Sequence, residues 1–212
     1  MVKIKVCGVT RVEDAAAAAA AGADAIGLNF APESPRYIGS AQQARQLISS
    51  SEAGPQLQWA GVFVNLAAKD LAAIADQAGL QIVQLHGEEP PEYLTELRKL
   101  LRPEIALWKV FRVAGEDDVR LAGTYGSDAW VFDTKSKQAR GGVGQVFDWS
   151  LLKQLTRTVP LVLAGGLNPE NVAEAVREVG PDWVDVASGI ESAPGRKDAL
   201  KLARFFEAAR NR

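Results

Sequence analysis

A (β/α)8 barrel forming a single domain over residues 1–212 is the fold class that the sequence predicts. Three observations carry this prediction. Eight short runs of β-branched or apolar residues alternate with longer helical patterns, the ends of those runs recur at nearly even steps, and no linker divides the chain. A doubly wound open sheet of eight strands shows the same alternation and stands as the alternative.

Val2–Cys7 is the first predicted strand, and Glu13–Ala21 the first helix. Ala25–Asn29 is followed by Ser40–Ser50, which Ser40 opens as a cap. Gln58–Val64 leads to Ala67–Ala78, and Gln81–Leu85 to Pro90–Leu101, whose start is marked by Pro90-Pro91. Ile105–Val110 pairs with Glu116–Tyr125, Ala129–Asp133 with Asp148–Thr156, and Pro160–Ala164 with Pro169–Glu178, preceded by Asn168. Trp183–Ala187 and Lys197–Asn211 complete the series. The steps between successive strand ends are 22, 35, 21, 25, 23, 31 and 23 residues. The two long steps place extra chain at Ala31–Gly39 and Thr134–Phe147, which are therefore the candidate functional loops.

Composition narrows the function. With 24 Lys+Arg against 26 Asp+Glu, the chain has no positive excess for tracking a polyanion, so no nucleic-acid partner is expected. The longest apolar run, Ala15–Ala21, falls short of the ~18 residues of a membrane span. The start MVKIKVCG lacks a signal-peptide layout, and a cytoplasmic chain without a membrane partner is expected. One cysteine cannot form an internal disulfide, and with one histidine it makes too few ligands for the usual zinc sites, so no metal is expected. Leu200, Leu202, Phe205 and Phe206 need only close the last helix onto the barrel, which leaves both a monomer and a homodimer open.

A barrel carries its active site at the C-terminal ends of its strands. Cys7 ends the first strand. A lone buried cysteine is ordinarily an apolar filler. Here Lys3, Lys5 and Cys7 share a face while Val2, Ile4 and Val6 form the apolar one, so Lys5 and Cys7 are expected in the lumen. An ammonium beside the thiol predicts a depressed Cys7 pKa. Asp133 shares its face with Ala129 and Val131 and projects from the far side, so it forms an acid/base couple with Cys7. Gly165-Gly166 and Ser188-Gly189 end strands seven and eight, where bare backbone N–H groups suit a phosphate. Arg36, in the first long loop, suits bidentate binding of a carboxylate, and His86 is a substrate contact or an orienting donor.

Taken together, these residues resemble the phosphoribosylanthranilate isomerases of tryptophan biosynthesis. The resemblance runs from Lys3 to about Phe205 in an ordered series. It begins with Lys5-Val6-Cys7-Gly8-Val9-Thr10, Ser34-Pro35-Arg36-Tyr37 and Gly61-Val62-Phe63-Val64-Asn65. Gln84-Leu85-His86-Gly87-Glu88-Glu89 follows, then Asp133 with Gly141-Gly142-Val143-Gly144 and Phe147-Asp148-Trp149. Leu163–Val172 and Ser188–Glu191 with Pro194–Asp198 close it.

The resemblance implies an Amadori rearrangement of N-(5-phosphoribosyl)anthranilate that needs no cofactor. Asp133 would be the general acid and Cys7 the general base, Arg36 would hold the anthranilate carboxylate, and Gly142 and Gly144 would let the strand-six loop fold over the substrate. The chain departs from the family pattern at Ala187, where a serine is usual, and in the charges Lys135, Lys137 and Arg140. A histidine-pathway or dual-substrate aminoaldose isomerase is the nearest alternative, although the histidine-pathway enzyme has an aspartate where this chain has Cys7. A barrel that binds a phospholigand without turnover predicts loss of the acid or the base, and both are present.

Overall fold

A computed structural model of the chain describes residues 1–134, 147–153 and 155–210. Eight parallel strands close into one barrel in sequential order, which excludes the open sheet. They are β1 (Lys3–Cys7), β2 (Ala25–Asn29), β3 (Gln58–Phe63), β4 (Ile82–Leu85), β5 (Ala106–Val113), β6 (Ala129–Thr134), β7 (Leu161–Leu163) and β8 (Trp183–Val186). The helices are α1 (Val12–Ala20), α2 (Ala41–Ser50), α3 (Ala68–Ala78), α4 (Pro91–Leu100), α5 (Glu116–Leu121), α6 (Val172–Val179) and α7 (Ala199–Arg210). Among the described residues no helix is long and apolar enough to cross a membrane.

Strand alternation sorts the side chains into two cores. Ile4, Ile26, Phe63, Leu107, Phe132, Leu161 and Val184 point outward and pack under the helices. Ala60, Ile82, Trp108, Val131, Val162 and Trp183 fill the lumen floor, where Trp108 and Trp183 meet edge to face at 5.2 Å. Above that floor the lumen becomes polar, with Lys5, Gln84 and Asp185 all buried.

Four side chains lock this arrangement from below. Asp24, Gln81, Asp128 and Asp182, each immediately before an even-numbered strand, accept the backbone N–H of Ile4, Trp59, Leu107 and Leu161 on the preceding strand, at 2.7–2.8 Å. Each bond fills an orphaned donor at a strand start. Helix starts follow the local chemistry. Ser40 and Gln43 form a reciprocal capping box on α2, and Pro91 occupies the first turn of α4, where its missing N–H costs nothing.

Three sequence expectations are corrected. The helix predicted over Asp148–Thr156 is a single 3-10 turn, Trp149–Leu152, capped by the Asp148 carboxylate on Ser150 N. That turn already buries Trp149 and Leu152, and the β-branched Thr156, Thr158 and Val159 before Pro160 disfavour a longer helix. The last helix starts at Ala199 rather than Lys197, because a 3-10 turn (Ser188–Ile190) and an antiparallel hairpin, β9 (Glu191–Ala193) and β10 (Arg196–Lys197), follow β8. Strand β5 runs to Val113, since Phe111, Arg112 and Val113 continue to pair with Phe132, Asp133 and Thr134 of β6.

Candidate active site

The C-terminal ends of the strands surround a cavity of about 250 Å3. Its lining brings together Cys7, Arg36, His86, Asp133, Gly165, Gly166 and Ser188, the residues that the sequence nominated. Gly189 adjoins it in the 3-10 turn after β8. A second cavity of about 590 Å3 opens beside the first towards β5 and α5, and His86 and Asp133 belong to both. Gly142 and Gly144, with Lys135, Lys137 and Arg140, lie outside the described residues.

Lys5 does occupy the lumen. It is fully buried, and its Nζ donates to Asp185 Oδ2 at 2.7 Å, the two residues being register partners on β1 and β8. Burial alone would lower the Lys5 pKa, but the charges of Asp185 and Cys7 reverse that and hold it above its ordinary value. The depressed Cys7 pKa predicted from the sequence is corrected. Burial pushes the Cys7 thiol up, the Asp185 carboxylate adds to that rise, and the pull of Lys5 and Lys197 in the other direction does not overcome them.

Across the cavity, Asp133 is part-exposed and its Oδ2 lies 3.4 Å from His86 Nε2. The His86 carbonyl accepts from Arg112 at 3.1 Å. Below, Glu89 receives the N–H groups of Asn65 and Gly87 and is paired with the buried Lys109 at 2.9 Å, which fixes the turn that presents His86. Gly165 allows the close approach of the chain after β7 to Asp133. Its φ is +81°, and a Cβ there would meet Asp133 Oδ1 at 2.4 Å and Thr134 N at 2.3 Å.

The backbone donors suited to an anion sit at β7 and β8. Among the described residues, the backbone N–H groups of Gly165, Gly166, Ser188 and Gly189 donate to no carbonyl or side chain. Such a cluster of unused donors suits a phosphate. In the first long loop, Asn29 at the end of β2 binds Ala31 N and Ser34 Oγ, and Ser34 Oγ accepts Arg36 N. The Arg36 guanidinium meets the carboxylate of Glu191.

Four site residues escape the sequence reasoning. Asp185 and Gln84 line the cavity, and each keeps a buried side-chain oxygen, Asp185 Oδ1 and Gln84 Oε1, without a partner among the described residues. Both interrupt short buried strands, and a polar residue on the lumen face of Trp183–Val186 or Ile82–Leu85 is the signal that could have found them. Glu191 and Lys197 arrive through the unforeseen hairpin.

Comparison with known proteins agrees with this geometry. Residues 4–208 match the family model described as N-(5'phosphoribosyl)anthranilate (PRA) isomerase. An N-(5'-phosphoribosyl)anthranilate isomerase from Citrifermentans bemidjiense is 42% identical over 99% of this chain and 98% of its own. Another from Myxococcus xanthus is 45% identical, covering 99% and 97%. The crystal structure of the Thermotoga maritima phosphoribosyl anthranilate isomerase superposes with a TM-score of 0.89 at 41% identity, covering 99% and 98%. A solved phosphoribosyl anthranilate isomerase in complex with reduced 1-(o-carboxyphenylamino)-1-deoxyribulose 5-phosphate gives 0.84 at 38% identity, covering 99% and 98%. With an eight-stranded barrel, a thiol and a carboxyl on one cavity, and similarity along nearly its whole length, the chain belongs to the phosphoribosylanthranilate isomerase family.

Proposed function

We propose that this barrel carries out the isomerase step of tryptophan biosynthesis with Asp133 as general acid and Cys7 as general base. The reaction is the Amadori rearrangement of N-(5'-phosphoribosyl)anthranilate to 1-(2-carboxyphenylamino)-1-deoxyribulose 5-phosphate. The observation that carries the assignment is the placement of Cys7 and Asp133 on one cavity, with unused N–H donors on its β7–β8 side.

Asp133 gives its proton to the furanose ring oxygen as the C1'–oxygen bond breaks, and the nitrogen lone pair forms the C1'=N iminium. The Cys7 thiolate then removes the C2' proton, whose electrons form the C1'=C2' bond of an enolamine. Tautomerisation yields the aminoketose. Ring opening needs an acid at the leaving oxygen and the second step a base on the carbon side, so two groups on opposite walls suit both. His86 holds the Asp133 carboxyl, Arg36 takes the anthranilate carboxylate, and the N–H groups of Gly165, Gly166, Ser188 and Gly189 take the phosphate. Lys5 supports the thiolate with its charge.

A free catalytic thiol suits a reducing compartment, which supports a cytoplasmic enzyme. The test is direct: purified enzyme added to phosphoribosylanthranilate should abolish its fluorescence. No turnover of this compound, with turnover of the histidine-pathway aminoaldose instead, overturns the assignment.

A further inference from the structure

We propose that Glu191 and Lys197 are positioning residues that aim the Arg36 guanidinium at the substrate's aryl carboxylate. The proposal rests on the assignment of Arg36 as carboxylate-binding group, and the experiment below separates the two.

Arg36 turns one edge to Glu191. Its Nε lies 2.9 and 3.2 Å from the two carboxylate oxygens, and its NH2 lies 2.6 Å from Oε2. A guanidinium is a planar fork of five N–H donors. With the Nε edge taken, the edge formed by NH1 and the second NH2 hydrogen stays available in the same plane, and among the described residues NH1 has no partner. Arg36 is partly exposed and lines the Cys7 cavity, so the available edge has a place to meet a ligand.

Glu191 is itself held. Its Oε1 accepts from Lys197 Nζ at 2.9 Å and from Gly195 N at 3.3 Å. Lys197 directs the rest of its ammonium to the carbonyls of Cys7, at 2.6 Å, and Ala187, at 3.3 Å. One buried ammonium thus ties the hairpin to the end of β1 beside the base and to the end of β8. The stem of Arg36 is fixed from the opposite side, because it crosses Gly8, where a Cβ would lie 2.3 Å from Arg36 Cδ. Gly8 also has a φ of +71°, which favours glycine on its own account.

Two considerations favour a positioning role over simple packing. The Glu191 and Lys197 side chains are 4% and 1% exposed, and burying an ion pair costs desolvation that an apolar pair of the same volume would avoid. The pair is therefore retained for what it orients. Around Cys7, three cations (Lys5, Arg36, Lys197) face two carboxylates (Asp185, Glu191), so while Cys7 is a neutral thiol one positive charge is left, which a bound carboxylate can neutralise. Burial would raise the Glu191 pKa, but the hydrogen bonds and charges of Arg36 and Lys197 hold it below the usual carboxylate range, so Glu191 stays ionised at neutral pH; burial lowers the Lys197 pKa against the pull of that carboxylate.

The test measures two affinities by calorimetry on each sample of the full chain. One ligand is reduced 1-(o-carboxyphenylamino)-1-deoxyribulose 5-phosphate; the other is the same compound without the carboxyl group. Their ratio does not depend on the fraction of protein that is folded. Glu191→Gln keeps the side-chain shape and should cut the preference for the carboxylate about tenfold, the size of one charge-assisted hydrogen bond. Glu191→Asp keeps the charge but falls short of spanning Arg36 and Lys197, and should give an intermediate ratio. Wild-type ratios in both variants, with the preference lost in Arg36→Ala, would overturn the positioning role and leave Arg36 as the carboxylate-binding group. A wild-type ratio in Arg36→Ala would remove that assignment, and the positioning role with it.

Discussion

The wall of the cavity behind Cys7, itself part-exposed, is dry and ion-paired, whereas the wall that carries Asp133 is open to solvent. On the first, Lys5 and Lys197 are 0% and 1% exposed and each has a carboxylate within 2.9 Å. On the second, His86 and Asp133 are 27% and 23% exposed and approach each other only to 3.4 Å. The difference fits the two proposed tasks. Carbon deprotonation needs a base whose charge is stabilised by fixed neighbours, while an acid facing the wider cavity can be reprotonated from water between turnovers. Dryness has a cost, because it also raises the thiol pKa.

Breaking the dry wall should have the largest effect. Lys5→Met leaves Asp185 buried without its cation and should lower unfolding free energy by ~3–5 kcal/mol in denaturant titrations. Adding Asp185→Leu removes the stranded charge and should recover most of that loss. If the single substitution is neutral, the pair is not the strut of this wall. Cys7→Ala and Asp133→Asn come next. Each should lower kcat by at least ~10²-fold, while the affinity for the reduced product analogue stays within about threefold. Near-normal turnover in either variant would remove its assigned role.

On the wet wall, His86→Gln should lower kcat by no more than about fivefold, the ~1 kcal/mol ceiling of a part-exposed contact between two side chains 3.4 Å apart. A loss as large as that of Asp133→Asn would instead make His86 a proton carrier. The smallest effect concerns pH. The base form of Cys7 appears as pH rises through its pKa, so kcat/KM should climb along a limb that lies above the ordinary thiol value. Since the Lys5 charge pulls that pKa down, Lys5→Met should move the limb further up. A limb at or below the ordinary thiol value would show that the lysines outweigh burial.

Much of the barrel was legible because strand side chains alternate with a period of two. That parity alone puts Cys7 and Asp133 in the lumen. What escaped depends on distant partners. The sequence places Lys5 beside Cys7, but the direction of the thiol shift turns on burial and on Asp185, which lies 178 residues further along the chain. The hairpin Glu191–Lys197 is too short to leave a periodic pattern, so Lys197 reads as the start of the last helix and Glu191 receives no role. Similarly, the single turn at Trp149–Leu152 carries helical spacing that its neighbours do not continue.

The four side-chain clamps beneath the barrel reach the chemistry through register. Asp24 fixes the N–H of Ile4, an outward-facing residue, and thereby fixes that Lys5 and Cys7 face inward. A slip of one residue would exchange the faces, sending the thiol under the helices and Val6 into the lumen. Gln81, Asp128 and Asp182 set the same parity at β3, β5 and β7. The floor touches no substrate, yet it decides at four separate seams which half of each strand's side chains the reaction can use.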